Sequence, residues 1–243
     1  MRSVFIATPV YGAPMAHYTA ALCAAALHLQ ERGYGVVAKL LTGLCYVHTA
    51  RNKLVRDFLV SGLDDLLWWD ADIGASPESI VKILEADRDV VGAAAPYRAG
   101  KELGFPCNPV GGPDRRPIVD PETGLIQVDP LPTALMKVRR EALMKLAFAG
   151  KSRLRVEYDR EGKERERYLS FFDFEIDEAS HTEFGEDVTF GRKWQSLGGT
   201  MWVVPDITIQ HDATTGNFHD YLRNLPGGGG AAPKDWKFAP RRF

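Results

Sequence analysis

Short apolar runs alternate with amphipathic segments along the first 95 residues of the chain. Apolar runs bounded by turn residues predict buried strands, whereas apolar residues three or four apart predict helices. The predicted strands are residues 3–7, 35–41, 63–69 and 89–95. The predicted helices are residues 14–31, 49–61 and 76–86. This alternation predicts an α/β fold with a mostly parallel sheet and right-handed crossovers.

The rest of the chain follows a less regular pattern. Residues 97–130 are rich in Gly and Pro, which predicts a long surface excursion with one short strand near residues 125–128. The later predicted strands are residues 134–138, 201–204 and 207–210, together with a hairpin of residues 154–158 and 168–172. The later predicted helices are residues 140–147 and a helix that opens at 185–187 and ends at 197–199. Residues 223–243 predict a flexible basic tail.

Composition narrows the class of protein without naming a function. The chain has 243 residues, of which 45% are hydrophobic and 26% charged, as in ordinary globular proteins. A net charge of -2 gives no general attraction to nucleic acid or anionic membranes. Three cysteines without C-x-x-C spacing predict reduced thiols. We find no secretory signal and no apolar run long enough to cross a bilayer, and we expect a cytoplasmic protein.

Two carboxylates follow the most apolar strand of the chain. Asp70 and Asp72 come directly after Leu66-Leu67-Trp68-Trp69. Residues two apart on an extended backbone point to the same side, so the two side chains share one face. Paired carboxylates suit Mg²⁺ or Mn²⁺, which keep open positions for phosphate oxygens. The alternative is a solvated junction between strand and loop, where Asp is common.

A histidine late in the chain is a candidate to complete that site. His211 ends the predicted strand 207–210, and its imidazole is compatible with Mn²⁺. His219 is the alternative ligand. A single His is also often a packing or surface residue without a ligand.

The helix that opens at residue 185 begins with an acidic pair, Glu186 and Asp187. A carboxylate beside the proposed site is suited to take a proton from an acceptor hydroxyl as a general base. Without any function, acids in a first helical turn stabilise the helix dipole by about 0.3–1 kcal/mol.

A third set of residues suits a nucleotide. The first-turn amides of the helix predicted at 49–61, together with Arg51 and Asn52, are placed to hold phosphate. Thr8, Pro9 and Tyr11 follow the first strand, and Tyr11 is suited to stack on a base. The alternative is a helix with one exposed Arg in an ion pair.

The order of these pieces resembles a GT-A glycosyltransferase of the family 2 type. Such enzymes begin with a strand that ends in a T-P-x-Y-like nucleotide loop, seen here at residues 8–11. They carry a D-x-D element after a central strand, here Asp70-Ala71-Asp72, and an acidic pair opening a late helix, here Glu186-Asp187. Several have a late metal-binding His, which matches His211.

Residues 49–55 and 68–73 also resemble the A-R-N and D-A-D stretches of the fungal mannan polymerase family, and similar short enzymes are encoded by bacteriophages. The resemblance covers residues 3–220. It is lost in residues 97–130 and in the tail, where acceptor contacts are expected. It implies one GT-A domain over residues 1–222, with a nucleotide-binding half (1–96) and an acceptor-side half (97–222).

The resemblance implies transfer of a sugar from a UDP- or GDP-sugar to an acceptor hydroxyl, supported by Mn²⁺ or Mg²⁺. The implied metal ligands are Asp70, Asp72 and His211, with Asp70 alternatively contacting the ribose. The implied nucleotide-binding residues are Thr8, Pro9, Tyr11, Arg51, Asn52, Asp70 and Ala71. Asp187, with Glu186 beside it, is the implied base if the reaction inverts the anomeric centre. If the reaction retains it, Asp187 positions a substrate.

Other interpretations and acceptors stay open at this point. A nucleotidyltransferase also uses a D-x-D metal site, although the loop at residues 8–12 lacks the expected Lys. A non-catalytic protein that binds nucleotide sugars or carbohydrates is a further alternative. The acceptor is a glycan, a protein or a hydroxymethylated base in phage DNA. The DNA option rests on the basic tail and on residues 151–167, where seven Lys or Arg accompany five Asp or Glu.

Overall fold

The computed structural model describes residues 2–98, 103–112 and 116–225, and these form an α/β fold, as predicted. The helices in these ranges are α1 (Ala16–Glu31), α2 (Val47–Ser61), α3 (Pro77–Glu85), α4 (Arg140–Phe148), α5 (Glu186–Gln195) and α6 (Phe218–Asn224). The strands are β1 (Ser3–Val10), β2 (Gly35–Thr42), β3 (Asp65–Trp69), β4 (Ile73–Gly74), β5 (Val90–Gly92), β6 (Ile126–Val128), β7 (Leu135–Arg139), β8 (Arg153–Tyr158), β9 (Glu164–Ser170), β10 (Glu175–Asp177), β11 (Thr182–Phe184), β12 (Met201–Val203), β13 (Thr208–His211) and β14 (Thr214–Asn217).

Seven strands form the central sheet, in the order β2-β1-β3-β7-β5-β12-β6. β1 pairs with β2 and β3 in parallel, and β5 pairs with β12 in parallel. β7 lies antiparallel between β3 and β5, and β6 lies antiparallel to β12. Five of the seven strands therefore share the predicted direction, but half of the neighbouring pairs are antiparallel, and the sheet is mixed rather than mostly parallel. Because β1, β3 and β5 run in one direction, their carboxyl ends lie at one edge of the sheet.

Alternating side chains of the central strands pack into two apolar clusters, one on each face of the sheet. On β3, Leu66 and Trp68 belong to the cluster that contains α2, α4 and α5 residues. Leu67 and Trp69 belong to the cluster that contains α1 and α3 residues. This alternation follows from the period of two on a strand, and burial on both faces explains why the whole run is apolar. The D-x-D residues thus follow a strand that is fixed from both sides.

Close contact between β5 and β7 depends on a glycine. A Cβ at Gly92 would lie 2.3 Å from the carbonyl oxygen of Leu135, closer than any side chain tolerates. Gly92 therefore allows β5 to approach β7 at the edge where β5 ends.

Three local expectations are confirmed and one is wrong. Ser76 caps α3 by accepting a hydrogen bond from the Ser79 amide at 3.2 Å, with Pro77 in the first turn. The predicted hairpin forms from β8 and β9, and β6 lies within the excursion as expected. However, α2 begins at Val47 rather than at residue 49, so Arg51 and Asn52 lie in its second turn rather than its first.

β13 confirms the predicted strand 207–210 with a shift of one residue, whereas β4, β10, β11, β14 and α6 had no clear sequence pattern. β13 pairs with β4 and β14 in a small sheet, and β10 pairs with β11 ahead of α5. α6 extends to Asn224, past the predicted start of the tail, whereas residues 226–243 of that tail lie outside the described residues. Among the helices of the described ranges, none combines the length and the apolar character that crossing a membrane requires.

Candidate functional site

A crevice of about 500 Å³ opens beyond the carboxyl ends of β1 and β3. This is the place where open α/β sheets bind ligands, and the volume lies in the usual range for small-molecule sites. The loop after β1, the start of α2 and the turn after β3 form its walls. Its lining residues are Pro9, Val10, Tyr11, Gly12, Ala13, Met15, Leu44, Cys45, Val47, Ala50, Asp70, Ala71, Asp72 and Arg98.

The D-x-D turn is fixed to its neighbours through its backbone. The Ala71 carbonyl accepts from the Met15 amide at 2.8 Å, and the Asp70 amide donates to the Ala134 carbonyl at 2.9 Å. The Asp72 carbonyl lies 2.9 Å from Nε2 of His17. The backbone of the turn is therefore fixed at the mouth of the crevice, but Asp70 and Asp72 follow the end of β3 and do not share the extended strand that the spacing argument assumed.

Asp70 is bound by a buried guanidinium. Nη2 of Arg51 donates to both Asp70 oxygens at 3.1 and 3.2 Å, and Nε donates to Oε1 of Glu186 at 3.2 Å. The Arg51 side chain is only 4% exposed, and its Cζ lies 5.2 Å from the centre of the Trp68 ring. Burial, reinforced by the charges of Asp72 and Glu186, raises the pKa of Asp70 despite Arg51. Arg51 thus connects the D-x-D turn to the acidic pair of α5.

Asp72 has a different set of partners. Oδ2 of Asp72 pairs with Nη2 of Arg98 and lies 3.6 Å from Nε2 of His211. Nε of Arg98 donates to Nε2 of His211 at 3.0 Å. Partial burial acts to raise the pKa of Asp72, but His211 and the charge of Arg98 outweigh it and lower that pKa below the ordinary value. Asp72 is therefore a carboxylate stabilised in its charged form.

The contact that Nδ1 of His211 makes with a carbonyl oxygen shows that this ring nitrogen carries a proton. Nδ1 lies 2.6 Å from the Pro96 carbonyl oxygen, which can only accept, so Nδ1 carries a proton. In the neutral ring Nε2 then offers its lone pair to Arg98, a residue that can only donate. Burial acts to lower the pKa of His211, but Asp72 and the Pro96 carbonyl outweigh it and raise that pKa, because the protonated ring can donate from Nε2 to Asp72. Metal-binding histidines usually have this arrangement, in which the outer nitrogen donates to a carbonyl and fixes the ring.

The predicted metal ligands are brought together only in part. Asp72 and His211 bring an oxygen and a nitrogen within 3.6 Å of each other. Both oxygens of Asp70 face Arg51 instead. In the described parts of the chain no group of three or more His, Cys, Asp or Glu is arranged to hold a metal. The donor set of two suits an ion that takes its other ligands from water and phosphate.

The acidic pair of α5 is divided between two roles. Glu186 binds Arg51, whereas Oδ1 of Asp187 accepts from the Val188 amide at 2.7 Å. Burial and the neighbouring charge of Glu186 raise the pKa of Asp187. A raised pKa brings a carboxylate closer to the range in which general bases work at neutral pH.

The predicted nucleotide-binding residues divide into exposed and buried ones. Pro9, Tyr11 and Ala71 line the crevice, and Tyr11 is 84% exposed. Thr8 is buried, and its hydroxyl is 2.6 Å from that of Tyr18. Asn52 is buried as well and bonds to residues 170–172. Its amide nitrogen donates to Ser170 Oγ and the Phe172 carbonyl, and its oxygen accepts from the amides of Phe171 and Phe172.

Two features of the site were not predicted. Arg98 was not identified, although it follows β5, whose carboxyl end lies at the same edge as the D-x-D turn. The carboxylate partners of Arg51 were also missed, and its guanidinium is buried rather than exposed for phosphate. His219 lies in α6, where its amide donates to the Pro205 carbonyl at 3.0 Å, so His211 is the histidine that contacts Asp72.

Comparisons with known proteins give distant structural similarity. No protein-family model and no curated protein sequence matches the chain. The crystal structure of A197 from STIV is similar over 87% of this chain and 85% of its own, with 17% identity and a TM-score of 0.47. A glycosyltransferase involved in the glycosylation of the major capsid of PBCV-1 is similar over 61% of this chain and 65% of its own, with 11% identity and a TM-score of 0.35.

Proposed function

We propose that this chain is a GT-A-type glycosyltransferase that moves a sugar from a nucleoside-diphosphate sugar to an acceptor hydroxyl. One observation carries the proposal. The D-x-D turn, the acidic pair of α5 and His211 come from distant parts of the chain and meet beside one crevice at the carboxyl edge of the sheet. Each of these pieces was expected at this place by the resemblance in the sequence.

The crevice residues have separate roles in binding the donor. Tyr11 stacks on the base, and Pro9 and Ala71 shape the wall that holds the nucleoside. Asp72 and His211 would hold a Mn²⁺ or Mg²⁺ ion, which would neutralise charge on the diphosphate. Arg51 keeps Asp70 and Glu186 in place. Thr8 and Asn52 support the crevice from within the core.

Asp187 supplies the base in this proposal. The acceptor oxygen attacks the anomeric carbon, the bond from that carbon to the diphosphate oxygen breaks, and the nucleoside diphosphate leaves. Asp187 takes the proton from the acceptor hydroxyl. A base that activates the acceptor directly implies inversion at the anomeric carbon, and the raised pKa of Asp187 supports this role.

The acceptor in this proposal is a hydroxyl of a glycan or a protein rather than a base in DNA. On the hairpin proposed for DNA, Glu157 and Glu166 bind Lys53 of α2, while Arg155 pairs with Asp173. The other basic segment proposed to bind DNA is the tail, which lies mostly outside the described residues.

A donor screen tests the proposal. The full chain is incubated with MnCl₂ and UDP-glucose, UDP-N-acetylglucosamine, GDP-mannose or the four nucleoside triphosphates. Melting temperature and release of nucleoside diphosphate are measured. We expect one nucleotide sugar to raise the melting temperature, because it binds only the folded state, and to be slowly hydrolysed. Stabilisation by a nucleoside triphosphate with release of pyrophosphate, and no effect of any nucleotide sugar, would instead identify a nucleotidyltransferase.

A further inference from the structure

Arg98 contacts the same two atoms that a metal ion would use. Its Nη2 pairs with Oδ2 of Asp72, and its Nε donates to Nε2 of His211 at 3.0 Å. A guanidinium cannot share these atoms with a divalent ion, since the carboxylate oxygen and the imidazole lone pair would have to bind both cations. The arrangement makes the ion and Arg98 alternative occupants of one position.

The guanidinium of Arg98 is exposed enough to move away from Asp72 and His211. Its side chain is 65% exposed, whereas those of Asp72 and His211 are 18% and 17% exposed. The backbone near Arg98 is attached to the small sheet, because the Arg98 carbonyl accepts from the Thr214 hydroxyl at 2.8 Å. The guanidinium can thus turn toward solvent while the main chain stays in place and the two ligand atoms keep their positions.

We propose that Arg98 is a tethered cation that occupies the ion position in the metal-free protein and is displaced when a divalent ion binds. The inference rests on the proposed function only in taking Mn²⁺ or Mg²⁺ as the competitor. Arg98 holds the side chains of Asp72 and His211 in place while no ion is present. It also weakens the apparent affinity for the ion, because the contacts of Arg98 must break first.

Calorimetric titration of the full chain with Mn²⁺ alone tests the competition. Arg98→Met should bind Mn²⁺ about tenfold or more tightly than the wild type, because a charge-assisted contact no longer has to be broken. Arg32→Met is the matched control. Arg32 is an exposed arginine paired with Glu85 at the end of α1, near the opposite edge of the sheet, and its loss should leave affinity unchanged. Equal or weaker binding by Arg98→Met would overturn the proposal.

A second measurement separates direct competition from general charge repulsion. In ¹⁵N spectra, the Nε–H of Arg98 should be slow to exchange with water in the metal-free protein, and Arg98→Lys assigns the signal. Titration with Mg²⁺ should remove this protection with the same dissociation constant as ion binding. If the signal persists while Mg²⁺ binds, the ion and Arg98 do not share a position.

The outcomes also distinguish this inference from the proposed function. If Mn²⁺ supports nucleotide-sugar hydrolysis but Arg98→Met binds Mn²⁺ no better than the wild type, the inference fails and the proposed function stands. If Arg98→Met binds Mn²⁺ more tightly and no nucleotide sugar is bound or hydrolysed by any variant, the competition is supported and the proposed function fails.

Discussion

Two carboxylates that are only two residues apart pair with two arginines in very different surroundings. Arg51 is buried beneath Asp70 and also binds Glu186, whereas Arg98 is mostly exposed and binds Asp72 beside His211. The pKa of Asp70 is raised, mainly by burial, while that of Asp72 is lowered by His211 and Arg98 against the effect of burial. The same residue type at two positions of one turn therefore has two opposite electrostatic environments.

This difference indicates a division of labour. Arg51, Asp70 and Glu186 form what we call the Arg51 centre, which joins the end of β3, α2 and the start of α5. The guanidinium of Arg51 cannot leave this centre without exposing buried charge. The Arg98 centre, formed by Arg98, Asp72 and His211, has a cation that is mostly exposed. We infer that the first centre maintains the shape of the site and that the second takes part in its chemistry. The variants below test this division, in order of decreasing effect.

The largest effect is expected at Asp187, the member of the acidic pair that Arg51 does not hydrogen-bond. Asp187→Asn should lower the rate of sugar transfer by roughly 10²–10⁴-fold, the usual contribution of a general base. Glu186→Gln, which changes the other acid, should lower stability more than Asp187→Asn does. Steady-state kinetics and urea unfolding of both variants give the comparison, and equal rates for Asp187→Asn and the wild type would exclude Asp187 as the base.

The pH dependence of transfer follows from the raised pKa of Asp187. A base must be deprotonated, so the rate falls as pH decreases through this pKa. Because burial and Glu186 raise the pKa, the fall should begin at a higher pH than for an ordinary Asp. A profile of kcat/KM against pH measures it, and Asp187→Asn should lose this acid limb. An acid limb unchanged in Asp187→Asn would assign it to another group.

Loss of Arg51 should be the most damaging to stability. Arg51→Met leaves Asp70 and Glu186 without their cation in a buried site, and removing one partner of a buried pair costs about 3–5 kcal/mol. Arg98→Met, the same substitution at the exposed centre, should cost less than about 1 kcal/mol. Urea unfolding measures both, and similar losses for the two variants would remove the distinction between the centres.

Asn52 should behave as a structural residue. Asn52→Ala leaves the buried amides of Phe171 and Phe172 without an acceptor, at a cost of about 2–4 kcal/mol for the two groups together. KM for the donor in the folded variant should stay near the wild-type value. A large rise in KM with unchanged stability would instead return Asn52 to the nucleotide site.

In contrast to Asn52, Tyr11 should affect donor binding and not stability, and its effect should be the smallest of those predicted. It is exposed beside the crevice, so Tyr11→Ala should leave the free energy of unfolding unchanged within about 0.5 kcal/mol. Loss of stacking on the base should raise KM for the donor about tenfold, since stacking is worth about 1–3 kcal/mol per base. A KM equal to that of the wild type would show that the base binds elsewhere.

The contrast between the two centres also shows which parts of the site a sequence can reveal. The apolar run of β3 and the capped start of α3 predict their elements directly, because strand periodicity and helix capping are local properties. The direction of β7 cannot be predicted from local sequence, because residues 134–138 have a strand pattern whether the strand runs parallel or antiparallel to its neighbours. Arg51 and Glu186 are 135 positions apart, so neither the pair nor its burial is visible in a local pattern.

Polar residues in the core were the main source of error. The sequence pattern favours a ligand-binding role for Thr8 and Asn52, because a sequence alone does not distinguish buried polar side chains from exposed ones. Their partners, Tyr18 and the backbone of residues 170–172, are defined only by the folded chain. Arg98 was missed because it lies at the start of the Gly- and Pro-rich excursion, where periodicity gives no register.

Asp72→Asn removes the charge of the carboxylate that is proposed to hold the ion beside His211. The measurement is the rate of nucleotide-sugar turnover with Mn²⁺ for Asp72→Asn and for Asp87→Asn, a control at the opposite edge of the sheet whose side chain is 86% exposed. We expect a loss of roughly 10²–10⁴-fold for Asp72→Asn with the fold intact, and no change for Asp87→Asn. Wild-type turnover by folded Asp72→Asn would exclude Asp72 from the site.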